Sequence, residues 1–146
     1  MNLYNYHSNP SKLIGYDVAF DLSPELALEK YRGNIKEMKK REHLWKQSAE
    51  YAYYYAHNVI KGRWPEGEAV IIKDPGYAYW YAHCVIKGRF LEGEAIIATT
   101  AHYSYDYACY IINGRFPEGE AVIATSIYYT NAYNRFIERS RLTFDL

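Results

Sequence analysis

Hydrophobic positions recur along this chain at a helical interval, and the whole pattern then recurs at a longer one. Ala78, Tyr81, Ala82, Val85 and Ile86 fall at i, i+3, i+4, i+7 and i+8, the buried stripe of an amphipathic helix. A turn segment follows: Lys87-Gly88-Arg89-Phe90-Leu91-Glu92-Gly93-Glu94-Ala95-Ile96-Ile97. It echoes Lys61-Gly62-Arg63-Trp64-Pro65-Glu66-Gly67-Glu68-Ala69-Val70-Ile71 before it and Asn113-Gly114-Arg115-Phe116-Pro117-Glu118-Gly119-Glu120-Ala121-Val122-Ile123 after it. From Gly62 to Gly88 and from Gly88 to Gly114 the step is 26 residues, without insertion. Self-similarity at such a period is the mark of a repeat architecture.

Each unit reads as two helices. Ser48, Asp74, Thr100 and Ser126 share one phase, and their side-chain oxygens suit the first helix as N-caps. Pro75 stands at a first helical position, where its missing N–H costs nothing. Gly62, Gly88 and Gly114 are expected to close the first helices as left-handed residues. The second helix opens at Pro65 or Pro117, has glutamates in its first turn where the helix end is positive, and offers Ala-Val-Ile to the core. So short a helix needs neighbours to persist. Two columns of small residues (Ala52, Ala78, Ser104, Thr130 and Ala56, Ala82, Ala108, Asn134) allow successive first helices to approach closely.

The pattern fades at both ends. After Tyr133 there is no Gly-Arg-Phe-Pro-Glu segment, and Arg135, Glu138, Arg139 and Arg141 make the last helix polar, as a terminal cap should be. Upstream, Ser23-Pro24-Glu25-Leu26 starts a helix and Asn34 to Gln47 reads as one charged helix. The expected fold is all-α: a short α-solenoid of 26-residue two-helix repeats with a degenerate N-terminal unit and a polar C-terminal capping helix. Its divisions are an arm over residues 1–20, the degenerate unit over 21–47 and the array over 48–146, with units 48–73, 74–99 and 100–125 and a cap over 126–146.

Composition narrows the function. Lys plus Arg equals Asp plus Glu, 17 each, which disfavours general nucleic-acid binding, since that needs a basic footprint. No basic segment followed by an apolar run opens the chain, and no apolar stretch approaches the ~18 residues of a membrane span. Two cysteines, Cys84 and Cys109, fit reduced thiols in a cytoplasm better than a disulfide framework.

The aromatic content is unusual in kind, with 18 Tyr beside 5 Phe and 3 Trp. Tyr51, Tyr77, Tyr103 and Tyr129 form one column, Tyr55, Tyr81, Tyr107 and Tyr133 another, and Tyr53, Tyr79 and Tyr105 a third. The Tyr55 column shares the buried stripe and reads as packing. The Tyr53 column leans away from that stripe. With Tyr54 and Trp80 it is either further packing or an exposed, partner-binding aromatic face. Arg63, Arg89 and Arg115 form a ladder beside Glu66 and Glu68, Glu92 and Glu94, and Glu118 and Glu120. It reads first as an Arg–Glu network between units and secondly as an anion clamp, because Arg grips phosphate bidentately. The Gly62–Gly67 turn lacks the Gly-Lys-Ser/Thr ending of a P-loop. His7, His43, His57, His83 and His102 fall in no metal-binding pattern, and adjacent His83 and Cys84 point apart on a helix. No metal, cofactor or catalytic residue is expected.

The segment over residues 53–69, with Val59-Ile60-Lys61-Gly62-Arg63-Trp64-Pro65-Glu66-Gly67-Glu68-Ala69 at its core, resembles, with its two echoes, Tyr-rich short helical repeats in uncharacterised proteins of tailed bacteriophages. The resemblance covers residues 48–125, and this copy departs from it at Leu91 and Asn113. It implies a small accessory protein in the cytoplasm of an infected host that engages a host or defence protein. The leading expectation is thus a non-enzymatic protein–protein interaction module, with a homo-oligomer also compatible with its exposed aromatics. Two alternatives stand beside it: a small-ligand or nucleotide sponge using Arg and Tyr, and a structural component of the virion.

Overall fold

The structure, a computed structural model, describes residues 23–144, so the expected arm over residues 1–20 lies outside it. Every regular element among the described residues is helical.

Ser23 caps α1 (Pro24–Tyr31), its hydroxyl accepting from the Leu26 N–H at 3.4 Å. Asn34 caps α2 (Ile35–Lys39) through the Glu37 N–H at 3.2 Å. The single charged helix expected over Asn34–Gln47 is broken at Lys40–Arg41, and α3 (Glu42–Trp45) follows the break. Trp45 is the reason. Its ring is fully buried, and its indole N–H donates to the Met38 carbonyl at 2.9 Å. In a continuous helix that carbonyl would be committed to the N–H of Glu42. Arg41 holds the corner: it donates to the carbonyl and side chain of Glu37 and lies over the Tyr31 ring, 4.0 Å from its centroid.

Three long helices follow, each beginning as α and ending as π. They are α4 (Ala49–Tyr54) with π1 (Tyr55–Ile60), α6 (Pro75–Trp80) with π2 (Tyr81–Ile86), and α8 (Ala101–Tyr107) with π3 (Ala108–Ile112). Ser48, Asp74 and Ser126 cap as expected, accepting from backbone N–H groups at 2.9 to 3.5 Å. Thr100 has the extended backbone of a cap, but its hydroxyl is buried and makes no such bond. The expected left-handed glycines are displaced by one residue. Lys61, Lys87 and Asn113 carry the positive φ (58°, 58° and 54°), and Gly62, Gly88 and Gly114 do not. The π geometry explains the shift. Lys61 donates its N–H to the Ala56 carbonyl five residues back, and Gly62 donates to that same oxygen at 3.3 Å. Gly88 with Ala82 and Gly114 with Ala108 repeat the bond at 3.2 and 3.1 Å. π segments often mark functional sites, but one in the same place in three helices is a property of the pattern.

The short helices are α5 (Pro65–Ile71), α7 (Leu91–Ile97) and α9 (Pro117–Ile123). Of the Ala-Val-Ile expected in the core only Ile71, Ile97 and Ile123 are buried; Val70, Ile96 and Val122 are partly so, and Ala69, Ala95 and Ala121 are exposed. The core comes instead from the residue before each helix. Trp64, Phe90 and Phe116 fold their rings back over Gly67, Gly93 and Gly119, where a Cβ would stand 2.2, 2.4 and 2.6 Å from ring carbons. Each ring then meets the Tyr of its own long helix: Tyr55–Trp64 at 4.8 Å, Tyr81–Phe90 at 5.2 Å and Tyr107–Phe116 at 5.1 Å between centroids.

Ala52, Ala56, Ala78, Ala82, Ser104 and Ala108 are fully buried where α4 meets α6 and α6 meets α8. The last of the described elements is one continuous helix, α10 (Ile127–Phe144), on which Arg135, Glu138, Arg139 and Arg141 are exposed.

Candidate functional site

Two side-chain systems run along the molecule. One is an internal latch built on the Tyr55 column. The Tyr81 hydroxyl accepts from the Trp64 N–H at 2.7 Å and donates to Glu68 at 3.0 Å. Glu68 in turn receives Nε and Nη2 of Arg63 at 2.6 and 3.0 Å. Tyr107 bridges the Phe90 N–H (2.8 Å) and Glu94 (3.0 Å), with Arg89 on Glu94 at 2.7 and 2.8 Å. Tyr133 does the same with Phe116 (2.9 Å) and Glu120 (2.9 Å), with Arg115 on Glu120 at 2.8 and 2.7 Å. Tyr55 makes the opening version, donating to Glu42 at 2.8 Å while its ring stacks on Trp45. Burial pushes the Tyr81, Tyr107 and Tyr133 hydroxyl pKas up, so these donors keep their protons. The Arg115 guanidinium holds the Glu120 carboxyl below its usual range.

Arg63, Arg89 and Arg115, candidates for an anion site, therefore already grip carboxylates in the two-pronged manner that a phosphate would require. Arg63 has a second carboxylate, Glu92 at 2.8 Å on α7. That contact ties the turn before α5 to the helix after the next turn.

The second system is a ribbon of tyrosines and histidines between the long helices. Tyr53 meets Tyr77 (5.9 Å between centroids), Tyr79 meets Tyr103 (5.6 Å) and Tyr105 meets Tyr129 (5.7 Å). Imidazoles flank these pairs: His57 stacks on Tyr53, His83 tilts over Tyr79, and His102 lies between Tyr103 and Tyr129. His102 also contacts Asp106 at 3.0 Å. Burial, reinforced by the Cys84 thiol at Tyr53 and the Cys109 thiol at Tyr105, pushes the hydroxyls of Tyr53 and Tyr105 up to about 12. Burial does the same to Tyr79, and raises the Asp106 carboxyl and the Cys109 thiol.

The candidate partner-binding residues divide accordingly. Trp80 is 44 % exposed, its ring edge-on to Tyr79 and His83. Tyr53, Tyr54 and Tyr105 are half-buried, and Tyr79, at 4 % exposure, is a packing residue that no partner can reach directly. The face is carried instead by Trp80 with His57, His83 and His102, by Tyr110, at 65 % exposure, and by Tyr128, at 68 % exposure and edge-on to Tyr129. Tyr110 escaped sequence reading because no Tyr stands at its phase in the other units, where Asn58, Cys84 and Phe136 are found. Its position four residues after Asp106, itself in phase with Tyr54 and Trp80, was the available signal.

Among the described residues no group of three or more His, Cys, Asp or Glu side chains is placed to hold a metal ion, and no helix is long and apolar enough to cross a membrane. No protein-family model, curated protein or solved structure matches this chain.

Proposed function

We propose that the chain is a short α-solenoid of 26-residue units that binds another protein and performs no chemistry of its own. The observation that carries this reading is Trp80, Tyr110 and Tyr128, large aromatic rings left open beside a ribbon of stacked Tyr and His. Large aromatics that are exposed yet held rigid by their neighbours are the usual anchors of protein interfaces, because little side-chain freedom is lost on binding. The ribbon beneath supplies that rigidity. The latch supplies a fixed spacing between successive helices, so the face is presented as one surface. Following the resemblance to phage repeats, the partner is a protein of a bacterial host, defence proteins included.

The arginine ladder favours this reading over a nucleotide sponge, since a phosphate would have to displace Glu68, Glu94 or Glu120 from Arg63, Arg89 or Arg115 and leave a carboxylate unpaired. The test is capture of proteins from bacterial lysate by the immobilised chain, compared with a Trp80→Ala, Tyr110→Ala double variant. Both side chains are open enough for the variant to fold. A partner retained by the wild type and lost from the variant is expected; identical retention by the two would sink the aromatic face as the binding surface.

A further inference from the structure

The aromatic face holds one residue that the stacking of its rings does not explain. Asp106 stands where the units before it have Tyr54 and Trp80, so a carboxylate replaces a ring. Its side chain is 20 % exposed, and burial raises its pKa. A carboxylate so placed loses solvation that a cation would restore. Among the described residues no Lys or Arg pairs with it. His102 Nε2 stands 3.0 Å from Oδ2, and His83 lies near enough to favour the charged form. Oδ1 makes no hydrogen bond to any described residue.

Aromatic rings stand about this carboxylate. Tyr110 follows one helical turn later and is 65 % exposed. Asp106 and Tyr110 both lie close enough to the Tyr79 hydroxyl to raise its pKa. The Trp80 ring is edge-on to Tyr79 at 5.1 Å and to His83 at 6.0 Å between centroids. Trp80 and Asp106 hold the same place in successive units, on α6 and α8, which pack against each other. The side chains buried between those helices, Ala78, Ala82, Ser104 and Ala108, are small and let them approach closely.

A half-buried anion beside open aromatic rings is the setting that receives an ammonium ion, which is drawn to the charge and to the ring faces together. A guanidinium fits a carboxylate best when it takes both oxygens. Here His102 already faces one of them, and the single oxygen left suits the point charge of an ammonium.

We propose that Asp106, together with the Trp80 and Tyr110 rings, binds the side-chain ammonium of a lysine on the partner protein. The lysine is free or N-methylated, since methylation keeps its charge. The inference rests on the reading of this face as the binding surface and adds the chemistry of what is bound there.

Three probes titrated into the full chain test it, followed by amide and indole chemical shifts: N-acetyl-lysine methylamide, its Nζ-trimethyl form and its neutral Nζ-acetyl form. Saturable shifts confined to residues 79–84 and 102–110 are expected from at least one of the two cations, with a Kd on the order of millimolar, as one side chain allows. Binding of both identifies an ordinary lysine as sufficient; binding of the trimethyl form alone identifies a methylated one. The neutral form should bind at least about tenfold more weakly than the cation that binds, because the charge is what the site recognises. Asp106→Asn keeps the shape and removes a charge that burial already disfavours, so it should fold; it should weaken the cation at least about tenfold, and Trp80→Ala several-fold. The neutral probe leaves the protein untouched, so a folding defect in either variant cannot mimic its effect. No saturable shift from either cation, equal binding of the neutral form, or binding unaffected by Asp106→Asn overturns the proposal. So does tighter binding of N-acetyl-arginine methylamide. If any of these failures accompanies a partner that the Trp80→Ala, Tyr110→Ala variant no longer captures, the face binds and only its lysine is lost; if the lysine binds and capture is unchanged, it is the partner-binding role of the face that falls.

Discussion

At the scale of single residues the glycines separate into two kinds that the sequence makes look alike. Gly93 sits beneath the Phe90 ring, where a Cβ would stand 2.4 Å from a ring carbon, whereas a Cβ on Gly88 meets nothing within 4 Å. Gly88 is also not left-handed; Lys87 is. Gly93→Ala is therefore expected to destabilise by about 1–3 kcal/mol through overpacking. Gly88→Ala should be nearly neutral, and Lys87→Gly should stabilise by about 1 kcal/mol through relief of the left-handed backbone. Urea midpoints of the three variants decide this, and a destabilising Lys87→Gly would contradict the π-helix closure. Tyr107→Phe tests the latch. It removes a buried hydroxyl that serves both the Phe90 N–H and Glu94; Glu94 keeps Arg89, but the Phe90 N–H is left without a partner, at about 1–3 kcal/mol. Circular dichroism in urea would show the loss, with the helix content of the folded state unchanged.

At the scale of elements, the helices and the caps at Ser48 and Asp74 were legible in the sequence because those depend on local chemistry. Ser48 and Asp74 cap where their phase places them. The α-to-π change was not legible: Val85 and Ile86 follow an α spacing in sequence, and the widening shows itself only in which carbonyl the N–H groups of Lys87 and Gly88 reach. The break before α3 was hidden for the same reason, since it depends on where the Trp45 indole finds its acceptor. Of the candidate site, Trp80 was legible from its column, while the burial of Tyr79 was not. It follows from how the ribbon packs helix on helix, a tertiary contact with no local signature. That ribbon has a titration of its own. Tyr53, Tyr79 and Tyr105 hold their protons to about 12 in the folded chain, against about 10 for Tyr in an unfolded one. A raised pKa on an acid means that the folded state favours the protonated form. The stability so contributed is complete below about pH 10 and is lost as the pH rises from about 10 to about 12. Urea midpoints measured across that range should fall, and a Tyr53→Phe, Tyr79→Phe, Tyr105→Phe variant should show a shallower fall.

At the scale of the whole molecule, the latch predicts that length is a free variable. Each bridge joins a turn aromatic to a tyrosine 17 residues later: Trp64 to Tyr81, Phe90 to Tyr107 and Phe116 to Tyr133. Removing residues 74–99 joins Lys73 to Thr100 and brings Tyr107 into the place of Tyr81, 17 residues after Trp64. Its hydroxyl then meets the Trp64 N–H and Glu68, its ring keeps Phe116, and Arg63 finds Glu118 where it had Glu92. Every latch contact that crosses the junction has a chemically matched substitute. In the small-residue column Ser104 replaces Ala78, and it already packs fully buried in its own place; outside the latch, Thr100 replaces the capping Asp74, His102 the buried Gly76 and Tyr110 the Cys84 beside Tyr53, which lowers the stability. If the proposed solenoid reading holds, stability is close to a sum over units and their interfaces, and the shortened chain should fold to a helical state and unfold cooperatively at a lower temperature. Removing residues 74–86, half of that period, places no tyrosine 17 residues after Trp64 and should abolish folding. Thermal melts followed by circular dichroism compare the two deletions directly. If they fail alike, the units are not interchangeable and the solenoid reading is lost; if only the second fails, the Tyr–Glu–Arg latch is the element that sets the period.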